Sequence, residues 1–171
     1  VNQHAGRLRE TLLRHNARLT GHRLLRGAIR IGGADLLAAP DLALIASVAD
    51  QAAELVHVST DNPMVANRLN TTAILPQSHA RQMGVLGYVA RASGLGMDAR
   101  AEHSFVDLGA GFRVVSRQDG DVRARFDVRA GEVDVSTRLV ADLAARIAAL
   151  DPSAPVAVPV AQGAGLGVVE A

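Results

Sequence analysis

The longest regular pattern in the chain lies between residues 122 and 150 and is typical of one long helix. Its apolar side chains recur at steps of three and four residues, which places them on one helical face. They are Phe126, Val133, Leu139, Val140, Leu143, Ile147 and Leu150. Gly120-Asp121 precedes the pattern and Asp151-Pro152 ends it. An apolar face of this length needs other elements to cover it, so the pattern predicts a fold built mainly from packed helices.

Four shorter segments also show helical patterns. They are residues 3–19, residues 42–56, residues 63–67 and about two turns that begin near Pro76. Pro40-Asp41 is a typical helix start, because the acid lies in the first turn where the helix dipole favours it. Asp61-Asn62-Pro63 ends one helix and can start the next. The fold class predicted from the sequence is therefore mainly α, a helical bundle with one or two short extended segments.

The remaining segments are less regular. Leu24–Ile31 is predicted to be helical, with a break at Gly32-Gly33. Glycines make residues 84–96 irregular, and residues 109–117 are predicted to form a strand or an extended segment. We interpret residues 1–152 as one helical core domain. Residues 153–171 are interpreted as a linker rich in Pro, Ala and Gly, followed by the start of a strand that belongs to an α+β part outside this chain.

Composition excludes several classes of function. The chain has no Cys, so it offers no thiolate nucleophile, disulfide or thiolate metal ligand. Its formal net charge is +1, which disfavours electrostatic binding of nucleic acid. No run approaches the roughly 18 apolar residues of a spanning helix, and no signal peptide opens the chain, so neither is predicted. The chain lacks an initiator Met and is interpreted as a piece of a longer protein.

Candidate chemical sites have mostly structural interpretations. The six histidines are too widely spaced for a zinc site and are interpreted as surface or capping residues. The run Gly163–Gly167 is interpreted as flexible linker rather than a phosphate loop, because no strand precedes it and no helix follows. Asp119 and Asp121 flank Gly120 as in a turn with a helix cap, and no calcium loop surrounds them.

Two segments that contain Arg are more informative. Arg23, Arg26 and Arg30 share one face if their segment is helical, and a solvated stripe is favoured over a buried interface. Residues 84–94 place small side chains around Arg91, which suits a packed interface or the wall of a site.

Several short motifs occur in a fixed order. They are Arg30-Ile31-Gly32-Gly33, Gly84-Val85-Leu86-Gly87, Val89-Ala90-Arg91-Ala92-Ser93-Gly94, Asp98-Ala99-Arg100, and Gly120-Asp121-Val122 with Arg125, Val128-Arg129 and Glu132. This arrangement resembles the large catalytic subunit of nickel–iron hydrogenases and its homologue in respiratory complex I. Residues 19–33 most resemble the membrane-bound, formate-hydrogenlyase-type branch. The resemblance is collinear over roughly residues 7–171.

The resemblance implies an all-α core that lacks the family's catalytic ends. Hydrogenase members hold nickel and iron with two Cys pairs, one near each end of the subunit. Complex I relatives form a quinone pocket from an N-terminal His and an acidic residue of an earlier helix. None of these positions falls in this chain, so no catalytic, cofactor-binding or metal-binding residue is assigned. Arg30 and Arg91 are assigned structural or interface roles around the buried centre.

The resemblance also implies a function for the parent protein. That protein would be the large subunit of a membrane-associated electron-transfer oxidoreductase, similar either to hydrogenase and formate hydrogenlyase or to NADH:quinone oxidoreductase. It would carry a nickel–iron centre or bind quinone, with iron–sulfur clusters on a small partner subunit, NADH on another subunit, and membrane subunits beside it. It would lie in the cytoplasm, peripheral on the inner face of the bacterial membrane. The isolated chain would be inactive and would self-associate.

The sequence also departs from the family's motifs. Residues 71–75 read Thr-Thr-Ala-Ile-Leu where the family often has a Gly-rich Thr-x-Gly-Val-Gly segment, and Tyr88 replaces a frequent Pro. Fewer glycines predict a less tightly turned loop. The alternative function is a non-catalytic helical scaffold or interaction module derived from the same subunit.

Overall fold

The computed structural model describes residues 2–30 and 33–150, and this part of the chain is mostly helical. Its helices are α1 (Asn2–Thr20), α2 (Leu42–Thr60), α3 (Pro63–Leu69), α4 (Gln77–Gln82), α5 (Gly87–Ala92), α6 (Ala99–Glu102) and α7 (Val122–Ala148). Two short antiparallel strands, β1 (Ile29–Arg30) and β2 (Gly33–Ala34), pair Ile29 with Ala34 and Arg30 with Gly33. The prediction of a mainly α fold is confirmed.

The chain divides into two compact units. Of the described residues, the first contains those up to Ala52 together with residues 140–150, and the second contains Ala53–Leu139. The predicted linker at 153–165 and the predicted strand at 166–169 lie outside the described residues.

Three helices begin at side chains that satisfy free backbone N–H groups. The Asp41 carboxylate accepts a hydrogen bond from the backbone N–H of Leu44 at 3.0 Å. The Asn62 side chain accepts from the N–H groups of Met64 and Val65, one residue before Pro63 starts α3. The Asp121 carboxylate caps α7 by accepting a hydrogen bond from the backbone N–H of Ala124. These three starts agree with those predicted from the sequence. Such caps stabilise a helix because they replace the intrahelical partners that its first N–H groups lack.

The predicted helix at Leu24–Ile31 is wrong. Turns occupy this region as far as Ala28, and β1 follows them. Gly21, Leu25 and Gly27 have φ values of 78°, 58° and 78°, which a right-handed helix cannot contain. The motif glycine at position 32 lies outside the described residues.

For the middle of the chain, one prediction needs correction and one of two predicted alternatives is excluded. The segment predicted to be irregular contains α5, whose small residues Ala90 and Ala92 are fully buried. No strand forms within 109–117, although a strand was one of the two predicted alternatives. This segment is held by side-chain packing and not by strand hydrogen bonds. Val115 is buried close to Gly131 of α7, where an added Cβ would lie 2.8 Å from the Val115 Cγ1.

The core of the second unit consists of two small clusters. Ala80, Ala90 and Leu95 form the first, and Ala92, Ala124 and Val128 form the second, with Tyr88 packed against it. Asp98 and Ser93 are as fully buried as Val128. The interior of this unit is therefore small and partly polar.

Helix α2 passes a length-and-composition test for a membrane span, contrary to the prediction that no run would. One such helix is weak evidence for a membrane span, because other kinds of helix meet the same criteria, although little of α2 is buried. Length and composition alone therefore do not assign this helix to a membrane.

Candidate functional site

Arg91 lies at the centre of a buried polar network in the second unit. Its side chain is only 6% exposed, and its Nε and Nη2 atoms each lie 2.8 Å from Glu132 Oε1 on α7. Its Nη1 donates a hydrogen bond to the backbone carbonyl of Met97 at 3.1 Å. Asp98 Oδ2 lies 3.7 Å from the same Nη1. A buried guanidinium is stable only with such partners, so α5, α7 and the loop before α6 depend on one another.

Asp98 forms the second half of the network. It is 1% exposed and caps α6 by accepting a hydrogen bond from the backbone N–H of Arg100 at 3.0 Å. The Arg100 guanidinium donates to both carboxylate oxygens, at 2.9 and 2.7 Å. These hydrogen bonds from Arg100 hold the pKa of Asp98 below its ordinary value, although burial acts in the opposite direction. Asp98 therefore remains ionised in the folded protein at neutral pH.

The turn at Gly120 joins three segments at close range. Its N–H donates to the carbonyl of Ala92 and its carbonyl accepts from the N–H of Leu75, both at 2.9 Å. Gly120 has φ +64°, and an added Cβ would lie 2.2 Å from the Leu75 carbonyl oxygen. Only glycine fits, because both the backbone angle and the space exclude a side chain.

Asp121 connects this turn to α7. Its Oδ1 accepts from the N–H of Ala124 at 2.7 Å, and its Oδ2 accepts from the N–H of Thr71 at 2.6 Å. The Arg125 Nη2 donates to the carbonyls of Ala73 and Gly120, at 2.6 and 2.9 Å. The segment at 71–75, which departs from the family's glycine-rich pattern, is thus held by side chains of the Gly120-Asp121 motif.

The network brings together most of the charged motif residues and one motif glycine. Arg91, Asp98, Arg100, Gly120, Asp121, Arg125 and Glu132 all belong to it. Sequence reasoning did not pair Arg91 with Glu132, because 41 residues separate them. The signal that could have found the pair is the requirement of a buried Arg for a carboxylate, since Asp98, Asp121 and Glu132 are the acidic residues of the motifs.

Arg30 is placed differently. It lies in the first unit, is 65% exposed on its side chain and forms an ion pair with Asp35. Arg23 and Arg26 are exposed as well, but the three residues do not share a helical face, since turns occupy this region. Arg23 instead pairs with Glu10 of α1 at 2.6 Å.

The described residues do not fit a metal centre. Within residues 2–30 and 33–150, no three His, Cys, Asp or Glu side chains are grouped so that they could hold a metal ion. The whole chain has no Cys, and the carboxylates of Asp98 and Glu132 are engaged by Arg. Chemically, the network fixes charges and backbone positions. The absence of a catalytic, cofactor-binding or metal-binding residue stays a prediction.

Two curated relatives share about a third of their aligned residues with this chain. The C/D subunit of NADH-quinone oxidoreductase from Phocaeicola vulgatus is 31% identical over 141 residues, which are 79% of this chain and 27% of the relative. Formate hydrogenlyase subunit 5 of Escherichia coli is 35% identical over 141 residues, covering 78% of this chain and 25% of the relative. The chain thus spans about a quarter of the length of these relatives.

A solved structure shares the fold. It is that of the membrane-bound sulfane sulfur reductase, an archaeal respiratory membrane complex, with a TM-score of 0.69 and 22% identity. The match covers 92% of this chain and 42% of the chain in that complex.

The family assignment rests on most of the chain. Residues 2–162 match the family described as the 49 kDa subunit of respiratory-chain NADH dehydrogenase. The resemblance inferred from the motifs is confirmed, and its hydrogenase branch is represented by the formate hydrogenlyase relative. The chain belongs to the family of the 49 kDa subunit of respiratory-chain NADH dehydrogenase.

Proposed function

We propose that this chain forms an interior structural region of the large subunit of a membrane-associated electron-transfer oxidoreductase. The reaction of the whole subunit is either hydrogen chemistry, as in a formate hydrogenlyase, or quinone reduction, as in an NADH-quinone oxidoreductase. The contribution of this chain is to hold the subunit's helices in place, and the isolated chain has no activity.

One observation carries this proposal. Most of the charged motif residues meet in a network whose described carboxylates already accept hydrogen bonds from Arg or backbone N–H groups. A general acid or base needs a proton-donating or proton-accepting group that is available to the substrate. Asp98, Asp121 and Glu132 are occupied by structural partners, which supports a role in positioning rather than catalysis.

Cofactors and partners follow from the same proposal. The nickel–iron centre or the quinone would bind outside this chain. For the nickel–iron centre, the reason is that it needs Cys thiolates, which the chain does not have. Iron–sulfur clusters would be carried by a small partner subunit, with membrane subunits beside it. The complex would lie on the cytoplasmic face of a bacterial membrane.

Exposed apolar side chains support the existence of partner surfaces. Phe105 is 99% exposed and Ile29 is 85% exposed. Met64, Met83 and Leu37 are also largely exposed. Apolar side chains left in water favour association, so we propose that the isolated chain self-associates. A strictly monomeric chain across a tenfold concentration range in light scattering would contradict this.

The decisive experiment uses the full-length gene product, expressed with its neighbouring subunits. Nickel and iron content and hydrogen-dependent dye reduction would support the hydrogenase branch. Quinone-dependent oxidation without nickel would support the complex I branch. If neither activity is present in an intact complex, the electron-transfer proposal is wrong and the scaffold alternative takes its place.

A further inference from the structure

Helix α7 carries two kinds of Arg. Arg123 pairs with Asp127 at 3.0 Å and Arg138 pairs with Asp134 at 2.9 Å, each one helical turn apart. Arg125 and Arg129 form no ion pair with a carboxylate in the described part of the chain. They are four residues apart and therefore lie on one helical face, where like charges repel.

Arg125 is held in place but its charge is not compensated. Its Nη2 donates to two backbone carbonyls, while its Nε is buried and has no hydrogen-bond partner. Carbonyl oxygens accept hydrogen bonds but carry no net charge. A partly buried guanidinium with an unpartnered N–H is costly unless an anion approaches it.

Arg129 presents its charge to solvent in a fixed orientation. It is exposed, and its guanidinium carbon lies 5.0 Å from the centre of the Tyr88 ring. Tyr88 packs against the buried cluster of Ala92, Ala124 and Val128, so the ring is a firm support. Stacking on a ring leaves the edge of the guanidinium free to bind a carboxylate with two parallel hydrogen bonds.

The acids within one turn of these residues are already used. Asp121 precedes Arg125 by four residues, and both its oxygens accept backbone N–H groups. Glu132 follows Arg129 by three residues, and its Oε1 is bound by Arg91. In the described part of the chain, these neighbouring acids therefore form no ion pair with Arg125 or Arg129.

We infer that Arg125, Arg129 and Tyr88 form a docking surface for a carboxylate-bearing segment of a partner protein. Charge complementarity identifies the occupant: two guanidinium groups on one face of α7, one stacked and one partly buried, match a pair of Asp or Glu side chains. The inference rests on the proposed function for the existence of a partner subunit. It adds the chemistry of one contact with that subunit.

The test uses the full 171-residue chain and two synthetic peptides, hexaglutamate and hexaglutamine. Binding is followed by the NMR signals of the Arg side-chain Nε–H groups. Hexaglutamate should shift the signals of Arg125 and Arg129, the effect should decline with added salt, and hexaglutamine should shift neither.

Substitutions localise the binding. Arg129→Gln should weaken hexaglutamate binding by about tenfold, as expected for the loss of a charge-assisted hydrogen-bonded pair. Arg123→Gln is the matched control, because it removes the same charge from the same helix at a residue that already has a partner, and it should change binding by less than about twofold. Arg125→Gln should behave like Arg129→Gln if circular dichroism shows that it remains folded.

Three outcomes would overturn the inference. Equal weakening by Arg123→Gln and Arg129→Gln would indicate only general attraction to a basic protein. Equal binding of the two peptides would remove the role of charge. A dimer that Arg129→Gln dissociates would identify a second copy of this chain as the occupant. The peptide assay does not involve metal, hydrogen or quinone, so its failure is distinguishable from failure of the proposed function.

Discussion

The two units use ion pairs of similar length in opposite environments. In the first unit, Glu10 lies 2.8 Å from Arg14 and 2.6 Å from Arg23, and all three side chains are between 37% and 76% exposed. In the second unit, Arg91 lies 2.8 Å from Glu132, with exposures of 6% and 20%. Distance does not separate the two arrangements, whereas access to water does.

This difference decides what each ion pair contributes. Water screens the charges around Glu10, and long exposed side chains lose entropy when they are fixed. The guanidinium of Arg91 cannot recover hydration, so its removal would leave Glu132 without its charge partner. The Glu10 ion pairs lie on the surface and contribute little to stability, whereas the Arg91–Glu132 ion pair fixes how α5 and α7 pack.

The largest expected effect comes from Arg91→Met. It should lower the free energy of unfolding by about 3–5 kcal/mol, because it leaves a largely buried carboxylate uncompensated. Arg23→Met, the matched change at the exposed pair, should lower the free energy of unfolding far less, because water screens that pair. Urea denaturation followed by circular dichroism measures both. The double variant Arg91→Met/Glu132→Leu should recover part of the loss, and similar costs for the two single variants would abolish the distinction between the pairs.

The turn that supports the buried network should be nearly as sensitive. Gly120→Ala should destabilise the chain by about 3 kcal/mol or more, since its Cβ would collide with the Leu75 carbonyl. Gly84→Ala is the control, with φ +63° and nothing within 4 Å of the added Cβ. It carries only the backbone strain of about 1–2 kcal/mol. If Gly120→Ala and Gly84→Ala had the same urea midpoint, the contact between the added Cβ at position 120 and the Leu75 carbonyl would relax without loss of stability.

A smaller effect is expected from the cap of α7. Asp121→Ala should cost about 1–2 kcal/mol, because the N–H groups of Ala124 and Thr71 lose their acceptor. Asp119→Ala, on the exposed side of the same turn, should change stability by less than about 0.5 kcal/mol. Hydrogen exchange at Ala124 and Thr71 would locate the loss. Unchanged protection there in Asp121→Ala would exclude the capping role.

Acid should weaken the buried carboxylate network more than the exposed pair. The pKa of Asp98 is lowered on folding, so its contribution is complete above the unfolded value of about 3.9 and is lost as pH falls through the folded value. Asp98→Asn should therefore make the free energy of unfolding depend less on pH below about pH 4. The Glu10 pKa is lowered to about 2, chiefly by the hydrogen bond from Arg23, yet Glu10→Gln should change the profile less because solvent screens that pair. If Glu10→Gln reduced the pH dependence more than Asp98→Asn does, the comparison between the two units would be reversed.

Local chemistry made several elements predictable. α1, α2, α3 and α7 follow from apolar spacing and from start signals such as Asn62-Pro63 and Gly120-Asp121. Helix α5 was missed because its glycines suggested irregularity, yet Ala90 and Ala92 are buried by tertiary packing. The segment before β1 was predicted as a helix because its leucines and isoleucines suggest one, while positive φ angles at Gly21, Leu25 and Gly27 require turns.

The candidate site shows the same limit. The motif order identified the residues that matter, but not which of them touch. Arg91 and Glu132 are 41 positions apart in the sequence, and Thr71 and Asp121 are 50 positions apart, so each pair meets only when the chain between them is folded. Spacing within one helix carries no information about such long-range pairs.

By itself the sequence determined the mainly α class, the start of the long helix, the absence of thiolate ligands and the family. These properties depend on periodicity, single residues or composition, all of which are local or additive along the chain. Only the tertiary structure decided that most of the charged motif residues meet in one network around the buried Arg91 and Asp98, that Arg30 stays on the surface, and that Arg125 and Arg129 lack a carboxylate in the described residues. Burial and ion pairing depend on which segments meet in space, and that is settled by the packing of the whole unit.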